Sequence, residues 1–312
     1  MSFQPDLRLL VASDGGNAAG PVHGAVSQLS AVCDVDLTVV HVATGGTSPE
    51  PRPFAFDPAA TPRRLQRLEL RGPDAAAAIA SLCDARSFDL VLAPASAGSG
   101  PLRALRSSFR ARLLARTGLP VWTAGPGLPP LHFHRPMRTV ACLLDFDRDP
   151  EPLLQRAAAF ARRMDARLHV LSVLPQVDDG TLAMVLTSQT PLLPAAARAR
   201  IAGMCAGRPA PVVDVVVDSL RRGVARLLRA GPPDVLFVRA SQWARPWPFG
   251  FPRALDRLGC PVICVPDADQ SAWSFERLVP AMRHADAAAE ATAVAAGALG
   301  PWPVDSVVPG IR

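Results

Sequence analysis

Two long stretches of this sequence match each other in register without a gap. Asp14 and Asp145, Leu37 and Leu168, Val39 and Val170, and Val42 and Val173 are all separated by one constant spacing. Farther along, Asp89 answers to Asp234, and the corner Gly118-Leu119-Pro120-Val121 answers to Gly259-Cys260-Pro261-Val262. Matched apolar runs at matched positions are the mark of one structural unit used twice. The chain is therefore expected to hold two copies of one α/β module.

The module is most legible between Phe88 and Gly125. Phe88 to Ala93 is an apolar run but for Asp89, as in a strand buried on both faces. Ala93 to Gly100 holds only Ala, Pro, Ser and Gly, so backbone there can approach a ligand closely. Ser107 or Ser108 is placed to cap a helix whose Phe109 and Leu113 face inward, and Gly118 suits a left-handed C-cap. Leu119 to Thr123 resumes as a strand. A small-residue loop feeding a helix N-terminus suits an anion, because free N–H groups and the helix dipole point at it.

In chain order, strands are expected over Leu7–Ser13, Leu37–Val42 and Leu65–Leu70, with helices over His23–Val32 and Ala75–Cys83. The stretch Thr44–Pro62 is too rich in Pro, Gly and Ser for a helix of any length. After the proline-dense Pro126–Pro136, the order returns: strand Thr139–Leu144, helix Pro152–Met164, strand Leu168–Leu174 and helix Ala195–Cys205. Strand Val212–Val217, helix Leu220–Arg229, strand Val235–Arg239, helix Ala254–Leu258 and strand Pro261–Val265 complete it. Apolar runs alternating with helical stretches argue for parallel sheets flanked by helices. The domains implied are 1–125 and 137–267, with a linker over 126–136 and a tail over 268–312 carrying an Ala-rich helix near Ala281–Leu299.

Composition narrows the function. All 33 basic residues are Arg, since the chain has no lysine, which excludes a P-loop lysine, a Schiff-base lysine and a lysine base. The net charge of +6 comes from scattered arginines with no dense basic arm, so nucleic acid is not the expected partner. Hydrophobic residues at 49% mark a globular chain rather than a disordered one. The six cysteines form no CxxC pair and read as buried, reduced thiols. No secretion signal and no bilayer-length apolar run is visible, so the expected location is cytoplasmic, with no membrane partner.

The residues Val11-Ala12-Ser13-Asp14-Gly15 resemble the first-strand signature of universal stress proteins, and Leu37–Val42 their second strand. Phe88–Thr123 resembles their strand-loop-helix-strand end, and Leu143–Pro175 is the closest match. The resemblance covers about Leu7 to Pro266. It implies two tandem flavodoxin-like domains, each a mostly parallel five-stranded sheet, whose last strands pair into a pseudo-dimer within one chain; a homodimer is a further option. It also implies a stress-response regulatory protein that binds ATP in the N-terminal half, with no metal beyond the Mg that accompanies nucleotide. The residues carried over are Asp14 and Gly15 for the nucleoside and main chain at Val42 for the base, with Ala93, Ser96, Gly98, Ser107 and Ser108 around the phosphates. The family's glycine-rich phosphate loop is kept only in part, and Arg103 and Arg106 stand beside it as charge-assisted partners. In the second half Asp145 and Val173 match, but Arg239, Trp243, Trp247 and Pro252 fall where phosphates would lie, and that site reads as closed.

Each assignment has a bland counterpart. Asp14 also explains itself as a turn-former before Gly15. Ser107 and Ser108 also explain themselves as an N-cap, and the arginines as solvated surface. His132 and His134 read as solvent-exposed linker residues. No nucleophile–base–acid constellation is visible, so at most a slow ATPase is expected. The alternative function is a nucleotide-independent interaction module with both sites lost and the Trp243–Phe251 surface docking a partner.

Overall fold

A computed structural model describes residues 7–13, 20–43, 62–94, 109–124, 128, 132–133, 135–146, 149–174, 192–206, 209–218, 223–225, 231–244 and 259–267. Within these, the first half runs β1 (Leu7–Ser13), α1 (Gly20–Ser30), β2 (Val35–Ala43), β3 (Arg64–Arg71), α2 (Ala75–Ala85), β4 (Leu90–Ala93), α3 (Phe109–Thr117) and β5 (Val121–Thr123). The second runs β6 (Thr139–Leu144), α4 (Glu151–Arg163), β7 (Arg167–Leu174), α5 (Leu192–Met204), β8 (Val212–Val217), β9 (Val235–Arg239), α6 (Ala240–Ala244) and β10 (Val262–Val265). Of the helix expected over 220–229, residues 223–225 are described and are helical. The helices expected over 254–258 and 281–299 lie outside the described residues.

Local chemistry accounts for the element ends. Asp74 caps α2 by accepting from the Ala76 N–H at 3.0 Å, and an alanine run carries the helix onward. Gly118 and Gly259 take positive φ, 59° and 62°, as a left-handed corner before the last strand of each half requires. Arg162 and Arg163 end α4, where positive charge complements the helix dipole.

All ten strands form one sheet in the order β3-β2-β1-β4-β5-β10-β9-β6-β7-β8. Every adjacent pair is parallel except β5 and β10, which meet antiparallel as Val121–Cys264, Trp122–Ile263 and Thr123–Val262. Each half has the same internal order, and the equivalence reaches individual hydrogen bonds. Asp89 N–H donates to the Arg8 carbonyl and Asp234 N–H to that of Thr139, both at 2.9 Å. The Asp89 carboxylate accepts from Arg8 N–H at 2.8 Å, and that of Asp234 from Thr139 N–H at 2.9 Å. Val91 and Leu236 donate to the carbonyls of Pro120 and Pro261, both at 3.0 Å. These aspartates tie the start of one strand to its neighbour, which explains why the sequence keeps them in register.

Two apolar layers cover the sheet. One contains α1, α4 and α5 with inward residues such as Leu9, Leu37, Leu144 and Phe237. The other contains α2 and α3 with Leu10, Val40, Leu143 and Val238. In the first layer, Trp122 of β5 meets Phe160 of α4 edge-on at 6.1 Å between ring centroids, and Phe160 leans on Phe237 at 5.3 Å. Such aromatic contacts add to the seam between halves beyond area burial alone. The half-sheets differ at their outer edges: α5 packs on β8, whereas Leu65, Arg67, Glu69 and Arg71 of β3 are exposed.

The linker departs from expectation. His132 is buried, not solvent-exposed, and Phe133 beside it is buried too; His134 lies outside the described residues. The reason is a set of long-range contacts with no local signature. His132 Nε2 donates to the Asp234 carbonyl at 3.0 Å, and Arg135 reaches the Asp234 carboxylate at 2.8 Å. Gln28 of α1 donates to the carbonyls of His132 and Arg135. Phe133 fills the space above Gly24, where an added Cβ would meet its ring. The linker is thus a strap that binds α1 to the start of β9.

Candidate functional site

In each half the strand order reverses direction between the first and fourth strands. The β1–β2 connection carries α1 on one face of the sheet, and the β4–β5 connection carries α3 on the other. The C-terminal ends of β1 and β4 therefore diverge into a crevice, the place where open α/β sheets bind ligands. The second half forms the same junction between β6 and β9.

At the first junction, β1 ends at Ser13 paired with His41 of β2. Val42 lies one residue past that pair while still paired to Leu70 of β3. Its backbone therefore stands at the rim of the crevice, and its half-buried side chain packs toward α2 and α3. Ala93, the last residue of β4, is fully buried and small, so among the described residues β4 contributes a methyl group to this side. α3 begins at Phe109, its Leu113 is fully buried, and Gly118 takes the expected left-handed turn. The structure thus brings Val42 and Ala93 to one edge. Asp14, Gly15, Ser96, Gly98, Ser107 and Ser108, together with Arg103 and Arg106, lie outside the described residues.

The second junction is occupied by protein. Arg239, Trp243, Trp247 and Pro252 are expected there; among the described residues the closing group is Gln242. This side chain is 0% exposed. Its Oε1 accepts from Arg239 N–H at 2.8 Å, and its Nε2 donates to the Leu143 carbonyl at 3.2 Å. One amide therefore stitches the end of β9 to the end of β6, across the gap a ligand would enter. Gln242 escapes sequence reading because it sits on α6, a five-residue helix hidden in a proline-rich stretch. The Trp243 side chain, Trp247 and Pro252 lie outside the described residues. Asp145 at the end of β6 is buried, and Val173 is pressed by Gly223, whose added Cβ would meet Val173 Cγ1 at 2.7 Å.

The cysteines are free, and all but the half-buried Cys83 are buried. Burial pushes the Cys260 thiol up to about 12, with the Asp234 carboxylate adding to the effect. Cys264, on the same face, is likewise raised, by burial first and then by Asp267. Thiols held protonated in this way are poor nucleophiles.

No family model and no curated protein matches the sequence. Solved structures do match the fold. A functionally unknown protein from Pseudomonas aeruginosa PAO1 superposes with a TM-score of 0.58 at 16% identity, over 87% of this chain and 96% of that one. A universal stress protein from Archaeoglobus fulgidus DSM 4304 superposes with a TM-score of 0.57 at 13% identity, over 85% of this chain and all of that one, 100%. Among the described residues no helix is long and apolar enough to cross a membrane. At these identities the shared property is the fold, and by fold the chain is universal-stress-protein-like.

Proposed function

We propose that this protein is a stress-response regulatory protein that binds one adenine nucleotide, ATP, in its N-terminal half, and that its C-terminal half is the structural partner of that site. The observation that carries this reading is the contrast at the two junctions. Among the described residues Ala93, a methyl side chain, ends β4 at the first, while Gln242 bridges the second. In the first half Asp14 and Gly15 would meet the nucleoside and Val42 main chain the base. Ser96, Gly98, Ser107 and Ser108 would cradle the phosphates through N–H and hydroxyl groups, with Mg arriving on the nucleotide. The paired hydrogen bonds of the two halves support descent from one duplicated module over 1–125 and 137–267. On this reading the β5–β10 seam makes a pseudo-dimer within one cytoplasmic chain.

Calorimetric titration of the full chain with Mg-ATP tests the proposal. One site per chain is expected, lost in Asp14→Ala. Absence of saturable heat at millimolar nucleotide overturns it.

A further inference from the structure

The helix that follows the first junction is short. α3 runs nine residues from Phe109 to Thr117, below the length at which a helix is stable alone, so its place is set by what it packs on. Leu113 and Leu114 press it onto the sheet. Arg110, in its first turn, donates to Thr123 Oγ1 of β5 at 2.9 Å. These contacts run down to the sheet; the sideways tie runs to α2.

That tie passes through one carboxylate. Asp74 Oδ1 accepts from the Ala76 N–H at 3.0 Å and from Arg112 at 3.1 Å, and its Oδ2 accepts from Arg116 at 2.7 Å. The acid that starts α2 thus also holds α3. Arg112 and Arg116 are four residues apart on one face of α3, where two like charges repel unless an anion stands between them. α2 is itself anchored by the buried Ala76, Ile79 and Ala80, so Asp74 passes a fixed position on to α3. An isolated surface ion pair contributes little; here one carboxylate, 27% exposed, joins two guanidiniums and a backbone donor.

The second half keeps the arginines in its sequence without the acid. Gly72 N–H donates to the Ala43 carbonyl at 3.2 Å, and Asp218 N–H to that of Leu174 at 3.0 Å. These matched bonds set Leu220 at the place of Asp74. Counted from the paired Gly118 and Gly259, Arg253 and Arg257 fall at the places of Arg112 and Arg116. Leu220, Arg253 and Arg257 lie outside the described residues, so the match is one of sequence. It puts the clamping acid in the half for which a nucleotide is proposed.

We infer, on the nucleotide reading proposed above, that Asp74 is a positioning residue for the first-half site: by clamping Arg112 and Arg116 it sets the N-terminal end of α3 within reach of phosphate, and so sets the preference for nucleoside triphosphate over bare nucleoside. The nucleoside is assigned to Asp14, Gly15 and Val42, which α3 does not carry. The pull of a helix N-terminus on an anion falls off within a turn, so a small shift of α3 weakens the hold on phosphate and leaves the nucleoside's contacts in place.

Calorimetric titration of the full chain with Mg-ATP and, separately, with adenosine tests this. Asp74→Asn keeps a side chain that caps a helix as well as aspartate does, but drops the charge between the arginines. Its affinity for Mg-ATP is expected to fall about fivefold, with that for adenosine unchanged within about twofold. Losing a negative charge by itself favours an anionic ligand, so this fall runs against the change in net charge. Arg112→Gln combined with Arg116→Gln is expected to reproduce the split between the two ligands. Equal Mg-ATP affinity in wild type and Asp74→Asn overturns the inference and leaves the nucleotide reading standing. A gain does the same, since it assigns the freed arginines to phosphate. A parallel loss of adenosine also overturns it, because loosened packing spares neither ligand. Wild type that binds neither ligand at millimolar concentration overturns both.

Discussion

The two junctions of this sheet share a topology and differ in what fills them. At the first, the described end of β4 presents the small side chain of Ala93. At the second, Gln242 hydrogen-bonds both strands across the gap. The comparison teaches that a doubly wound sheet supplies a crevice by geometry, and that a few side chains decide whether it stays a site. It also separates residues kept for the sheet from residues that distinguish the halves. Asp89 and Asp234 make the same tie between strand starts, to which Asp234 adds a hold on Arg135 of the linker, whereas Gln242 belongs to the second half's own junction.

The sharpest test of that separation is Asp234→Ala against Asp89→Ala. Asp234 is 6% exposed and accepts from Arg138 N–H, Thr139 N–H and Arg135. Its loss should cost about 3 kcal/mol, read by urea denaturation, because buried donors are left unsatisfied. Asp89, half-buried and with one described backbone bond from Arg8, should cost about 1 kcal/mol. Equal losses would break the view that the linker strap makes the second aspartate special. Next is Gly24→Ala, whose Cβ would run into Phe133; a loss of about 2 kcal/mol is expected by the same measurement. The register equivalent in α4 is Gln155, which bonds Glu151 on an exposed face, and Gln155→Ala should change stability by less than about 0.5 kcal/mol.

The strands show what periodicity can and cannot reveal. β6, β8 and β9 fall on the residues expected, because runs of Val, Leu and Ile bounded by turn residues have few other uses. The strap and the Gln242 bridge were not legible. His132 is buried by a carbonyl a hundred residues away, and Gln242 by strand ends that only the sheet brings together. Such contacts leave no pattern within a local window.

Two smaller effects refine the comparison. Gln242→Ala removes both arms of the bridge and strands the buried Arg239 N–H, and a loss of about 1.5 kcal/mol in chemical unfolding is expected. Near the seam, Arg110 donates to Thr123 Oγ1 at 2.9 Å, whereas β10 places Cys264 at the matching position. Thr123→Val should cost about 1 kcal/mol, and Cys264→Val less, by the same unfolding measurement.

The antiparallel seam has a consequence for synthesis. β5 gains its partner only when residue 262 has left the ribosome, so the first half emerges with the backbone groups of Val121, Trp122 and Thr123 facing water on one edge. Until then a second nascent chain can occupy that edge as readily as the proper strand can. Slowing translation across the second half should therefore raise the yield of exchanged, intertwined chains, a liability that grows with every residue separating the two strands.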